Sequence, residues 1–240
     1  MSIGHIGIVA CSAEGAALCY RTIATEGAAG SAQHAHPEIT LHAHSLHEYV
    51  KRLDRDDWQG VGELMLASAN ILAQSGADFV ICPDNTIHHA LPLIEARLPV
   101  PWLHIAEVVA HEAARRGFRN VGLLGTRWLV HSEVYPEKLR QRGIGYVRPS
   151  VPDRAEINRI IMDELVAGIF RPAGVAYHQA VIARLKEAGC DAVVLGCTEI
   201  PLIIGDANSP LPTLDSTRLL ARAALERARR PRERPSGELR

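Results

Sequence analysis

Short apolar runs rich in β-branched residues recur along this 240-residue chain, each closing on small or polar residues and separated by stretches of helical spacing. Ile6-Gly7-Ile8-Val9-Ala10, Ala77-Asp78-Phe79-Val80-Ile81, Asn120-Val121-Gly122-Leu123-Leu124 and Asp191-Ala192-Val193-Val194-Leu195 are each about the length of a buried strand. Strands covered on both faces belong to parallel sheets, whose right-handed crossovers pass through helices. The chain therefore reads as α/β. Further strands are expected near 38–44, 102–105 and 145–148. Helices are expected at about 15–26, 60–75, 135–142, 155–168, 174–188 and 216–229, with another ending near Ala114.

The pattern restarts at Pro99-Val100-Pro101, and the second half echoes the first. Two α/β subdomains follow: residues 1–100 with 212–230, whose last helix packs back onto the first half, and residues 101–211. Residues 231–240, charged and Pro-containing, are expected to fray.

Loops beyond the C-terminal ends of parallel strands are where ligands bind. Two of them carry chemistry: Cys82-Pro83-Asp84-Asn85-Thr86 and Gly196-Cys197-Thr198-Glu199. Each offers a proton-transferring group, Asp84 or Cys197, followed by hydroxyl and backbone N–H groups suited to holding a carboxylate. Two such groups on opposite sides of one carbon remove a proton from one face and return it to the other, which is general acid–base catalysis with inversion.

Composition narrows the partners to a small molecule. The net charge is −1, charged residues make up 22% and aromatics 5%, which is neither a nucleic-acid footprint nor a disordered chain. No apolar run approaches the roughly 18 residues of a membrane span and the N-terminus carries no leader pattern, so the expectation is a cytoplasmic protein. Five cysteines, 11, 19, 82, 190 and 197, are odd in number and lack CxxC spacing, which argues for reduced thiols rather than disulfides or structural zinc. Twelve histidines, chiefly His34/His36, His42/His44/His47 and His88/His89, raise the question of a metal. No carboxylate or cysteine completes a ligand set beside them, so no metal is expected.

With these residues in place the chain resembles the aspartate/glutamate racemase superfamily, which includes hydantoin racemases, maleate isomerases and arylmalonate decarboxylases. The resemblance runs nearly end to end. It is carried by Ile6-Gly7-Ile8-Val9 with Glu14, Pro83-x-Asn85-Thr86-x-His88, Leu103-His104-Ile105-Ala106 and Val121 to Thr126. It continues through Tyr135, Glu164-Leu165-x-x-Gly168 and Leu195 to Pro201. It implies a pseudo-symmetric pair of α/β subdomains with the site in the cleft between them, commonly in a homodimer. It also implies no pyridoxal phosphate, no other cofactor and no metal, with one cysteine from each half flanking the substrate's α-carbon. Matched by position, Cys197 is the second-half cysteine. Asn85, Thr86, Thr126 and Thr198 fall where the substrate carboxylate and amine are held, and Ser12 lies in the matching first loop. His88 and Glu199 match supporting polar positions beside the two acid/base groups.

One departure stands out. The family pattern reads Pro-Cys-Asn-Thr in the first half, and here Asp84 occupies the cysteine's place. Cys82, two residues earlier, shares a face with Asp84 only if the segment stays extended; otherwise it is a small core residue. Reference pKa values of about 3.9 for Asp and 8.5 for Cys leave a gap of roughly 4.6 units, or ~6 kcal/mol of basicity. Burial of Asp84 narrows that gap, and a helix starting at Thr198 and Glu199 favours thiolate at Cys197. Asp84, Thr86, Thr126 and Thr198 are also ordinary helix-capping residues. Arg52 and Arg127 either reach a distal carboxylate or stay solvated, and His104 is expected to pack or hydrogen-bond.

The leading expectation is an amino-acid racemase or epimerase acting on aspartate, glutamate or a related small α-amino acid, with Asp84 and Cys197 as its two bases. Two alternatives stay open: a one-cysteine decarboxylase or cis–trans isomerase of a small dicarboxylic acid, and a catalytically silent carboxylate-binding protein.

Overall fold

The computed structural model describes residues 4–28 and 35–230. The expected frayed tail, most of the small-residue loop after the first helix, and His34 of the histidine pairs lie outside these residues.

The first sheet is built from β1 (Ile6–Ala10), β2 (Ile39–Ala43), β3 (Phe79–Ile81) and β4 (Trp102–Leu103) in the order β2-β1-β3-β4. The second repeats that order with β5 (Asn120–Leu124), β6 (Gly145–Val147), β7 (Ala192–Leu195) and β8 (Thr213–Asp215), as β6-β5-β7-β8. Every pairing is parallel. β3 and β7 therefore hold equivalent places in the two sheets, and Asp84 and Cys197 follow them.

Alternation along the strands decides what covers each face. In the first sheet Val9 and Val80 pack against Tyr49, Val61, Met65 and Leu72 of α2 (Leu46–Leu53) and α3 (Trp58–Gln74). Ile6, Ile8, Phe79 and Ile81 face the other way, onto α1 (Ala13–Gly27) and α9 (Ser216–Arg229). The second sheet repeats the arrangement. Val121, Leu123 and Val194 meet α4 (Ile105–Arg115) and α6 (Val134–Arg140), while Leu124, Val193 and Leu195 meet α7 (Val151–Asp163) and α8 (Pro172–Glu187). α5 (Arg127–His131) opens directly after β5. α9 leaves the second sheet and lies on α1 and α4, with Arg222 paired to Glu26.

The last strand of each sheet falls outside the division expected from the sequence. Trp102–Leu103 pairs with β3, so the first sheet extends past residue 100, and Thr213–Asp215 pairs with β7 rather than joining the first half. Edge strands of two or three residues are held by a neighbour's register and are too short to carry a period of their own.

Capping accounts for the shifts at helix ends. The strand expected to reach Ile105 stops at Leu103 because His104 Nδ1 accepts the Ala106 N–H at 3.1 Å and starts α4. α7 begins at Val151 rather than near 155, since Ser150 caps it at the Asp153 N–H and Pro152 suits its first turn. It ends at Asp163, short of the expected 168: a 3-10 turn, Leu165–Ala167, and then Gly168 at φ +71 close it.

Candidate active site

The loops after β1, β3, β5 and β7 wall one cavity, lined by Ser12, Asp84, Asn85, Thr86, Thr126, Cys197, Thr198 and Glu199. Residues from both sheets thus close on a single space, as the sequence placement requires. Of the expected site residues only His88 does not line it.

Two hydroxyl pairs cross between the sheets. Ser12 Oγ lies 3.3 Å from Thr198 Oγ1, and Thr86 Oγ1 lies 2.9 Å from Thr126 Oγ1. Capping and cavity lining coincide here: Ser12 accepts the Gly15 N–H of α1, and Thr126 accepts the Leu129 N–H of α5. Close approach of the halves needs Gly15, where an added Cβ would stand 2.6 Å from Thr198 Cβ and 3.0 Å from the Pro83 carbonyl oxygen. Within the second sheet, Gly196 lets β7 end close against β5, since its Cβ would lie 2.5 Å from the Leu124 carbonyl oxygen.

Around Cys197 the donors run in one direction. The Cys197 thiol donates to Glu199 Oε2 at 3.0 Å, and the Thr198 hydroxyl donates to the same oxygen at 3.0 Å. Burial pushes the Cys197 thiol well above its ordinary range, and the Glu199 carboxylate beside it pushes further the same way. The helix expected to favour thiolate is a single 3-10 turn, Ile200–Leu202, so that expectation is corrected. The Glu199 backbone N–H acts toward thiolate, but burial and the Glu199 carboxylate outweigh it.

Asp84 sits at the start of a 3-10 helix, Thr86–Leu93, and its Oδ1 accepts the Ile87 N–H at 3.0 Å. Burial raises its carboxyl, the Glu199 charge adds to that, and the Ile87 N–H works against it. Burial therefore lifts Asp84 and Cys197 together, and desolvation alone does not close the gap between them.

His88 stands behind Asp84. Its Nδ1 donates to the Asp84 carbonyl oxygen at 2.6 Å, while Nε2 accepts from Trp102 Nε1 at 3.1 Å. Burial lowers its pKa to about 4, which keeps the ring neutral. Asn85 is likewise fixed from below: Tyr135 OH donates to its Oδ1 at 2.6 Å, and its Nδ2 donates to Ser216 Oγ at 3.0 Å. Cys82 takes the core alternative, wholly buried with Val9, Tyr49 and Met65 and absent from the cavity wall.

Sequence reasoning missed Cys11, which follows β1 and lines the cavity; its thiol is raised by burial and by neighbouring Asp84. It also missed the apolar wall: Leu46, Val50 and Leu53 from α2, Trp128 from α5, Ile161 and Met162 from α7, and Val166. Spacing of 46, 50 and 53 on one helical face was the available signal. The two arginines are engaged elsewhere, Arg52 with Glu48 at 2.7 Å and Arg127 with Asp54 at 2.8 Å. His42 bonds Ser68, and among the described residues no three His, Cys, Asp or Glu side chains form a group able to hold a metal ion. No helix among them is long and apolar enough to cross a membrane.

Paired four-stranded parallel sheets with one cleft at their strand C-termini define a two-sheet α/β architecture. The chain belongs to the Asp/Glu/hydantoin racemase family, a family of isomerases, whose sequence model matches residues 6–224. It is 25% identical over 194 residues to the broad specificity amino-acid racemase RacX of Bacillus subtilis, covering 79% of this chain and 81% of that protein. A glutamate racemase of Thermus thermophilus is 32% identical over 160 residues, and the chain spans 56% of its length. Among solved structures, an aspartate racemase homologue from Pyrococcus horikoshii superposes with a TM-score of 0.80 at 26% identity, covering 94% of this chain and 99% of that one.

Proposed function

We propose that the protein inverts the α-carbon of a small α-amino acid by two-base proton transfer, with Asp84 serving one face and Cys197 the other. The observation that carries this reading is that equivalent strands of the two sheets, β3 and β7, each deliver one protonatable side chain to the same hydroxyl-lined cavity. In one direction the Asp84 carboxylate takes the α-proton and the electron pair spreads into the substrate carboxylate. Cys197 then gives its thiol proton to the opposite face, leaving a carboxylic acid and a thiolate. In the reverse direction the roles exchange.

Ser12, Thr86, Thr126 and Thr198 supply neutral donors to the substrate carboxylate, and Asn85 is held ready by Tyr135. Glu199 offers a carboxylate to the substrate ammonium; its Oε1 is buried and has no hydrogen-bond partner. That ammonium also supplies the positive charge that two buried acids and a thiol otherwise lack.

Each enantiomer incubated in deuterated water should take up deuterium at Cα and lose optical activity together. Asp84→Asn and Cys197→Ser should each slow this by ~10²–10⁴-fold. Exchange without any loss of configuration, or full activity in either variant, contradicts the two-base reading. A second reading follows from the Ile87 N–H on Asp84, which ties that carboxyl to a capping role. There Cys197 alone protonates an enediolate after decarboxylation, and release of carbon dioxide from a disubstituted malonate identifies it.

A further inference from the structure

We infer that this cavity takes an α-amino acid with an apolar side chain rather than one bearing a side-chain carboxylate, an inference that rests on the amino-acid reading above. The polar groups from the strand ends are sufficient for an α-carboxylate and an α-ammonium, so the remaining wall meets the side chain. That wall is apolar: Leu46, Val50 and Leu53 from α2, Trp128 from α5, and Ile161 and Met162 from α7.

Its charge points the same way. Among the described residues no lysine, arginine or histidine lines the cavity, whereas Asp84 and Glu199 both do. A second substrate carboxylate would lose its water against hydrocarbon, find no cation, and face two acidic residues. The arginines next in sequence to the wall do not relieve this. Arg127 is held by Asp54 at 2.8 Å with its guanidinium 4.4 Å from the Trp128 ring centre, and Arg52 is held by Glu48.

Expected selectivity is at least ~100-fold in affinity for the apolar series, in line with the cost of leaving a buried charge unpaired. The test is ligand-induced thermal stabilisation of the whole chain by both enantiomers of leucine, methionine and phenylalanine, set against aspartate and glutamate. Stabilisation by the apolar series alone is expected. Equal or greater stabilisation by the acidic pair, or none by either series, overturns the inference. Deuterium exchange at Cα on the same panel separates this from the proposed reaction. Apolar ligands that bind but never exchange refute racemisation and leave the specificity standing; exchange confined to aspartate or glutamate does the reverse. Val50→Lys places a cation in the wall and should shift binding toward the acidic pair; should that variant not fold, the unmodified chain decides alone.

Discussion

Replacing Glu199 by glutamine isolates the charge that acts on Cys197. Oε2 of Glu199 accepts the thiol hydrogen at 3.0 Å, and the side chain is 3% exposed. Burial is the larger cause of the raised thiol, with the carboxylate charge next. Two unit charges about 4 Å apart, close to the separation of the sulfur from the centre of the carboxylate, interact by ~4 kcal/mol at an effective dielectric of ~20, which puts the charge's share at ~3 pKa units. The glutamine amide keeps an acceptor for the thiol and adds a donor for the thiolate, so the Cys197 midpoint should fall by ~1–3 pH units. Alkylation by iodoacetamide, followed as a function of pH by peptide mass at Cys197, reads that midpoint directly. The alkylation profile of Cys197→Ser gives the background from the other four buried cysteines. At a fixed pH below the midpoint the variant should be alkylated at least ~10-fold faster, because the thiolate fraction there grows tenfold each time the midpoint drops by one on the pH scale. A midpoint that stays put or rises would mean that Glu199 carries no charge beside the thiol. The donors at Cys197 and Thr198 would then not converge on a carboxylate.

Two further outcomes follow from the geometry. His88 and His104, with ring centres 4.6 Å apart, have pKa values lowered by burial to about 4 and about 2, so at mildly acidic pH the unfolded chain binds more protons than the folded one. Stability is then complete above the unfolded value near 6.5 and falls as pH drops through it, at ~1.4 kcal/mol per pH unit for each histidine while its folded form stays neutral. Urea unfolding at pH 7, 6 and 5 should show this slope, and a stability independent of pH in that window would contradict it. Gly15→Ala should push Thr198 away and weaken both folding and ligand binding by ~1–3 kcal/mol, since the added methyl meets a side chain and the Pro83 carbonyl with little room to yield. Unchanged melting temperature and unchanged ligand-induced stabilisation would show that the two loops are free to part.

The sheets were legible because β1, β3, β5 and β7 are buried on both faces, and burial on both faces writes itself as continuous apolar runs. β8 was not legible: three residues, Thr213–Asp215, gain their identity only from register with Val193, Val194 and Leu195. The short helix α2 was also missed, because His47, Glu48, Lys51 and Arg52 crowd its eight residues and only Tyr49 and Leu53 are fully buried in the core. Yet its Leu46, Val50 and Leu53 supply much of the apolar wall of the cavity. The polar residues of the cavity could be read from their motifs, whereas its apolar wall could not, since it is assembled from α2, α5 and α7, three elements far apart in the chain. Cys11 escaped for a related reason: nothing in the string Ala10-Cys11-Ser12 shows that Asp84 will stand beside it.

In the proposed racemisation, a carboxyl rather than a thiol at Asp84 has a consequence that the equality of the two enantiomers sharply limits. Burial raises Asp84 and Cys197 alike, Glu199 raises both, and the Ile87 N–H lowers Asp84, so these neighbours do not favour the thiolate over the carboxylate. With a carboxylate at Asp84 and a thiol at Cys197, the proposed pair meets whichever enantiomer turns its α-hydrogen toward Asp84. The opposite enantiomer requires the proton to have moved from Cys197 to Asp84 first. Enantiomers nevertheless have equal free energy in water, so kcat/KM must be the same in both directions whatever the bases are. Unequal basicity can therefore be expressed only in kcat and KM separately, rising or falling together between the two enantiomers. It also sets how fast the enzyme returns its proton to Asp84 or Cys197 between turnovers.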